Sequence, residues 1–218
     1  MSFDESVREA FKDDNARKYA ETYLTESLIT WRDCEKSLSR ITFTLVAVCI
    51  TAALIYQGIA SEASFAGIKI TNFRVVQDFL PVIIAYLYSS LMSLAAESIM
   101  TQTAFSTVFA AFQPKLASIA HLRYALHPTG MTFSAGERIK GALPEKDIVR
   151  KIVELSADIR GLTLVLAPAA YEVYLFVILF QRAGFTNIGL WISLALSFAL
   201  FASGFTGLFA AGSVPGPR

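Results

Sequence analysis

Apolar and polar positions follow one another along this chain in long blocks. Four blocks are apolar on every side, and each has about the 20 residues that carry a helix across the hydrocarbon core of a bilayer. They are residues 41–59, 79–100, 162–181 and 188–211. A soluble helix bundle would instead confine its apolar residues to one stripe of each helix and place charges opposite. The pattern therefore predicts an all-α integral membrane protein with four transmembrane helices and helical extensions.

These blocks divide the chain into five parts. They are a 1–40 amphipathic helical segment, a 41–100 transmembrane hairpin, a 101–161 loop with helices, a 162–211 second transmembrane hairpin and a 212–218 tail. Because residues 1–57 lack Pro and Gly, the lead-in helix is expected to run directly into the first span. Residues 145–160 predict an amphipathic helix that enters the third span, and 64–70 predict a short strand or hairpin. Pro81 is expected in the first turn of the second span.

Lys and Arg are distributed unevenly between the predicted spans. Seven precede the first span and eight lie between the second and the third, whereas the remaining segments hold two, one and one. Basic residues concentrate in short cytoplasmic segments of membrane proteins. The sequence therefore predicts a multi-pass protein of the plasma (inner) membrane, with 1–40, 101–161 and both termini in the cytoplasm.

Composition removes several classes of function. The 218 residues carry a formal net charge of +1, which argues against nucleic-acid binding driven by bulk charge. Cys34 and Cys49 show no metal-ligand spacing, and His121 and His127 are expected at the surface or in a loop. The sequence contains no GxSxG, HExxH, P-loop or GxGxxG pattern. We therefore expect neither an enzyme nor a bound cofactor or metal ion.

Glu172 lies near the middle of the third span, where a carboxylate costs about 2.5–3.5 kcal/mol on insertion scales and should face protein or water. The second span carries a polar face of Tyr86, Ser90, Ser93 and Glu97, spaced four, three and four residues apart. Glu172 and this polar face could line a hydrated path or a proton- or cation-sensitive site. Alternatively, the serines could serve close helix packing, with Glu172 protonated and hydrogen-bonded.

The fourth span carries a small-residue face that suits close helix contact, within or between subunits. Its residues are Gly189, Ser193, Ser197, Ser203, Gly204 and Gly207. With the polar face of the second span, it predicts a homo-oligomer of three to five copies, with four preferred.

Residues 145–159 and 15–40, both amphipathic, are expected to pack together and to form a docking surface for a cytosolic protein. The docking residues proposed from the sequence are Arg150, Lys151, Glu154 and Trp31.

The overall layout comprises a charged lead-in before Ile41, a short outer segment closing with QDFLP, and a charged segment before Leu162. It resembles the small four-pass transmembrane subunits of prokaryotic antiphage defence systems, such as that of Kiwa. The resemblance implies an oligomer that senses or perturbs the membrane and recruits a cytosolic partner. The sequence favours an oligomeric subunit that transmits a signal or forms a regulated pore. The alternatives are a non-conducting anchor or scaffold and a small transporter.

Overall fold

The computed structural model describes residues 9, 14–57, 63–65, 68–70, 73–119, 126–128, 130 and 148–213. Within these residues the chain forms five helices and one two-stranded sheet. In chain order the elements are α1 (Asp14–Tyr56), β1 (Ala63–Phe65), β2 (Ile68–Ile70), α2 (Phe73–Phe112), α3 (Pro114–Ala117), α4 (Ile148–Ala183) and α5 (Ile188–Gly212).

Four of these helices are long and apolar enough to cross a membrane. They are Tyr19–Tyr56 within α1, Val76–Phe112 within α2, Ile148–Ala183 and Ile188–Gly212. The prediction of an all-α, multi-pass membrane protein is confirmed. At about 1.5 Å per residue α1 is about 65 Å long, against a hydrocarbon core of about 30 Å. The lead-in helix therefore does continue into the first apolar block, and α1 is about twice as long as a helix needs to be to cross a bilayer.

The segment between the first two spans contains an antiparallel hairpin. Ala63 pairs with Ile70, Ser64 with Lys69 and Phe65 with Ile68. This agrees with the weak alternation of residues 64–70 in the sequence.

The expected position of Pro81 is wrong, because α2 begins at Phe73 and Pro81 lies inside the helix. Proline lacks an N–H, so the carbonyl four residues earlier, that of Gln77, loses its helical donor. The Tyr56 hydroxyl donates to this carbonyl at 2.6 Å. A side chain from the end of α1 thus compensates for the proline, and the helix continues through it.

The chain forms two compact units. The charged unit comprises Met1–Ser39, Leu94–Leu162 and Leu208–Arg218, and the apolar unit comprises Arg40–Ser93 and Thr163–Gly207. Trp31, Phe105 and Phe109 form the core of the charged unit, with Leu24, Leu28 and Ala117 packed against them.

Hydrogen bonds between helices hold the apolar unit together. The Tyr171 hydroxyl of α4 donates to the Cys49 carbonyl of α1 at 2.8 Å. The Tyr88 hydroxyl of α2 donates to the Val165 carbonyl of α4, also at 2.8 Å. Buried polar groups need such partners where water is absent. Each bond therefore specifies which helix faces meet.

A tight turn joins α4 to α5. Gly184 adopts a φ of 76°, a left-handed conformation that favours glycine at a helix C-terminus. Asn187 caps α5 by accepting from the Gly189 amide at 3.0 Å, and its side-chain amide donates to Asp78 at 3.2 Å. The Trp191 indole donates to the Phe185 carbonyl. The last two spans are therefore held as one hairpin.

Candidate functional site

Glu172 of α4 is buried in the apolar unit, with 5% of its surface exposed. Neither carboxyl oxygen makes a hydrogen bond of ordinary geometry with a described residue, and the side chain that lies near enough to interact with the carboxyl is that of Ser197. Glu172 and Ser197 of α5 line a pocket of about 170 Å³. The other lining residues are Ala169, Val173, Phe176, Leu194, Phe198 and Phe201. An ionised carboxylate in such surroundings would be costly, which makes Glu172 the candidate site residue of this unit.

Two serines of α5 are buried in the same unit as Glu172. Ser193 and Ser197 are buried, and neither hydroxyl has a hydrogen-bond partner in the described part of the chain. The small-residue face of α5 is therefore at least partly used within one subunit. The sequence predicts serines of the second span at the depth of Glu172, whereas the polar residue beside it in this pocket is Ser197 of α5.

The polar face of α2 points away from the interior of the chain. Tyr86 is 61% exposed, Ser93 is exposed and Ser90 is half-buried. The Ser93 hydroxyl donates to the Ser89 carbonyl of its own helix at 3.0 Å, which lowers the cost of leaving it exposed. No hydrogen bond among the described residues joins these side chains to Glu172.

Glu97, the fourth member of the polar face, belongs to the charged unit, whereas Glu172 belongs to the apolar unit. Glu97 is exposed and interacts with the buried thiol of Cys34. Burial, with a contribution from Glu97, raises the pKa of the Cys34 thiol to about 11. Cys34 lies before the apolar block that begins at residue 41.

His127 lies in a bend, as the loop alternative predicted, but it is not at the surface. Its side chain is only 2% exposed and packs edge-on against Trp31, with ring centroids 4.7 Å apart.

Trp31 itself is fully buried and contacts Phe105. Trp31 is therefore a core residue of the charged unit and is not accessible to a docking partner. Its large apolar ring system gains more from burial than from exposure on an amphipathic helix.

Glu35 and Ser98 form a buried polar contact that the sequence pattern does not predict. The Ser98 hydroxyl donates to a Glu35 carboxylate oxygen at 2.8 Å. A side chain at Gly130 would overlap the Glu35 side chain and force it to move, so the contact favours glycine there. Gly130 follows Pro128 and Thr129, and this PTG turn pattern is the one signal of the contact in the sequence.

The remaining proposed docking residues lie on α4. Arg150 and Glu154 form an ion pair at 3.3 Å, and Lys151 is exposed. The apolar residues of this helix, Ile148, Ile152, Leu155 and Ile159, are all exposed. This apolar face is therefore not covered by any residue that the structure describes, whereas residues 15–39 and 148–159 do belong to the same compact unit. The expectation that the two segments pack together stays a prediction.

No group of three His, Cys, Asp or Glu side chains that could hold a metal ion occurs in the ranges that the structure describes. No family model, curated protein or solved structure matches the chain.

Proposed function

We propose that the protein is an oligomeric membrane subunit whose copies meet around the polar face of α2, and that the assembly transmits a signal or opens as a regulated pore. The observation that carries this proposal is the outward orientation of Tyr86, Ser90 and Ser93 on a transmembrane helix. Polar side chains within a membrane are better accommodated against protein or water than against lipid.

Several copies are required for this function. The polar face of one chain contributes Tyr86, Ser90 and Ser93 within the apolar unit, which is too little polar surface for an aqueous path. Three to five copies, with four preferred, would place these side chains around a common axis, where rings of polar residues can line a pore. The same face would then explain both assembly and conduction.

Glu172 supplies the switch in this proposal. The Glu172 carboxyl lies beside Ser197 at a pocket in the apolar unit. Gain or loss of a proton or cation there would therefore alter how α4 and α5 pack. Such a change could alter the faces through which copies meet.

The uneven distribution of Lys and Arg supports a plasma (inner) membrane protein with the charged unit in the cytoplasm. A soluble protein partner would use the charged side of α4, at Arg150, Lys151 and Glu154. The resemblance in layout to membrane subunits of antiphage defence systems supports a role in such a system. The apolar exterior of the spans makes membrane lipid the remaining partner.

The test is ion flux in vesicles of phosphatidylethanolamine and phosphatidylglycerol that contain the purified full chain. Ser90→Leu combined with Ser93→Leu should abolish flux, because both changes remove hydroxyls from the proposed path. Thr51→Leu is the matched control, since Thr51 is also an exposed hydroxyl on a span that donates to its own helix, at the Ala47 carbonyl. A monomeric wild-type protein, or equal flux from all three proteins, would overturn the proposal.

A non-conducting anchor is the second candidate, and a specific observation favours it. The hydroxyls of Tyr88 and Tyr171 form hydrogen bonds between helices inside one subunit, as expected of a filled core. An oligomer that assembles but carries no ions under any tested pH or voltage would support the anchor and exclude the pore.

A further inference from the structure

The N-terminal half of α4 carries a heptad face, which we define as five large aliphatic residues on one side of the helix. They are Ile148, Ile152, Leu155, Ile159 and Leu162, and each is between 56% and 73% exposed. All five belong to the charged unit. A stripe of this size on a helix, outside the predicted third span over most of its length, marks an interaction surface.

The spacing of the heptad face identifies the kind of partner. Its members follow one another at intervals of four, three, four and three residues, which is the repeat of a coiled coil. Assigning Ile152 and Ile159 to position a places Leu155 and Leu162 at position d. Ile148 also falls at position d, but the two complete a–d pairs combine isoleucine at a with leucine at d, which favours two parallel strands over three or four.

The charged residues of this segment are compatible with such a pair. Arg150 and Glu154 occupy outer positions f and c and form an ion pair with each other. Lys151 and Asp158 occupy position g. In a parallel pair, Lys151 would lie near Ser156 of the second copy and Asp158 near Thr163, so no like charges oppose each other.

We propose that the heptad face binds the same face of a second copy of this chain as a parallel, two-stranded coiled coil. The parallel arrangement follows because α4 continues without interruption into a candidate span, and copies inserted in the same membrane share one direction. This inference rests on the proposed function and deepens it, because it names a surface through which copies meet. A four-copy assembly would contain two such pairs.

The coiled coil is long enough because the heptad pattern extends into the span. Leu166 continues position a and is exposed. Residues 148–166 thus cover nearly three heptads, close to the length that usually supports a coiled coil. Pro168 falls at position c, away from the contact. Insertion in one membrane also raises the effective concentration of one copy near another.

The first test is disulfide formation in native membranes. Single cysteines replace Ile152, Leu155 and Ile159 in the full chain after Cys34→Ala and Cys49→Ala. The matched controls are Glu154→Cys and Ala157→Cys, at positions c and f. In a parallel coiled coil, a and d residues approach their equivalents closely enough for a disulfide, whereas c and f residues point apart.

We expect the three heptad-face cysteines to form disulfide-linked dimers at least about tenfold faster than the two controls. Equal rates at all five positions would indicate random collision and overturn the proposal. Absence of dimers at all five positions would also overturn it and would leave the face covered by another part of the same chain.

The second test measures the mass of the assembly and needs no oxidant. Ile152→Asp and Leu155→Asp should each lower the apparent mass of the assembly in nanodiscs, while Ala157→Asp should leave it unchanged. Unchanged assembly in all three variants would count against the coiled coil.

A separate cysteine at Ser93 distinguishes this inference from the proposed function. Cross-linking at Ser93→Cys with none at Ile152→Cys would remove the coiled coil and keep assembly through α2. Cross-linking at Ile152→Cys with none at Ser93→Cys would keep the coiled coil and remove assembly through α2.

Discussion

The hydroxyl oxygens of Ser89 and Ser203 lie 3.1 Å apart and join α2 to α5. Gly204, the next residue, lies so close to α2 that an added Cβ would be 3.1 Å from the Ser89 Cα and 3.2 Å from the Met92 Cβ. Small residues at such a crossing let two membrane helices approach closely, where packing replaces the hydrophobic effect.

Gly204→Leu should therefore force α2 and α5 apart. We expect a loss of about 1–3 kcal/mol in stability, as for other overpacked contacts. The matched control is Gly207→Leu, because a Cβ at Gly207 would meet nothing within 4 Å. Thermal unfolding of both variants in the same detergent measures the difference. Equal melting temperatures would show that the close approach at Gly204 is not required.

Replacing Glu172 tests whether its carboxyl group has a function. Glu172→Leu removes an unpartnered buried polar group and fills similar volume, so the protein should fold and assemble as well as the wild type. We expect its flux in vesicles to fall by about tenfold or more, with a smaller loss for Glu172→Gln, if the carboxyl group controls the pore. Normal flux from Glu172→Leu would show that the carboxyl group is incidental.

The Cys34 thiol should react slowly with maleimides. A pKa of about 11 in place of 9.0 lowers the thiolate fraction at pH 8 by about 100-fold, and burial limits access as well. The measurement is the labelling rate in a Cys49→Ala background. Ser118→Cys, with Cys34→Ala, is the exposed control in the same unit. Raising the pH should accelerate labelling at Cys34 until the pH exceeds about 11, whereas equal rates at pH 8 would contradict the buried environment.

The orientation in the membrane is tested by labelling from one side. A cysteine at Ser64, in the segment after the first span, should react with an impermeant reagent added outside intact cells. A cysteine at Ser134, between the second and third spans, should react only after the membrane is permeabilised. The reverse pattern would place the charged unit outside.

The spans could be predicted from the sequence because a run of about twenty apolar residues matches the thickness of a bilayer and is rare in soluble helices. The helix ends were harder to predict. Pro81 suggested a helix start, yet the Tyr56 hydroxyl donates a hydrogen bond to the Gln77 carbonyl, which the proline leaves without a helical donor. A contact from another helix cannot be read from local propensity, so α2 begins eight residues earlier than Pro81.

The site was predicted only in part, for a related reason. A carboxylate in the middle of an apolar block is costly, so its position in the sequence is enough to identify Glu172 as a candidate. Its neighbour Ser197 could not be chosen over the serines of α2, because the rotation of each helix about its axis depends on tertiary packing. The burial of His127 against Trp31 likewise depends on how a loop returns to the helices, which hydrophobic periodicity does not encode.

The tight turn at Gly184 also bears on how the protein is made. Because only a few residues separate α4 from α5, the two helices can leave the ribosome and enter the bilayer as one paired unit. Glu172 would then pass from the aqueous channel of the insertion machinery directly to the side of Ser197, without first meeting lipid as part of a lone helix. Insertion as a pair would thus lower the cost of carrying the Glu172 carboxyl into the bilayer, because Ser197 and not lipid would lie beside it.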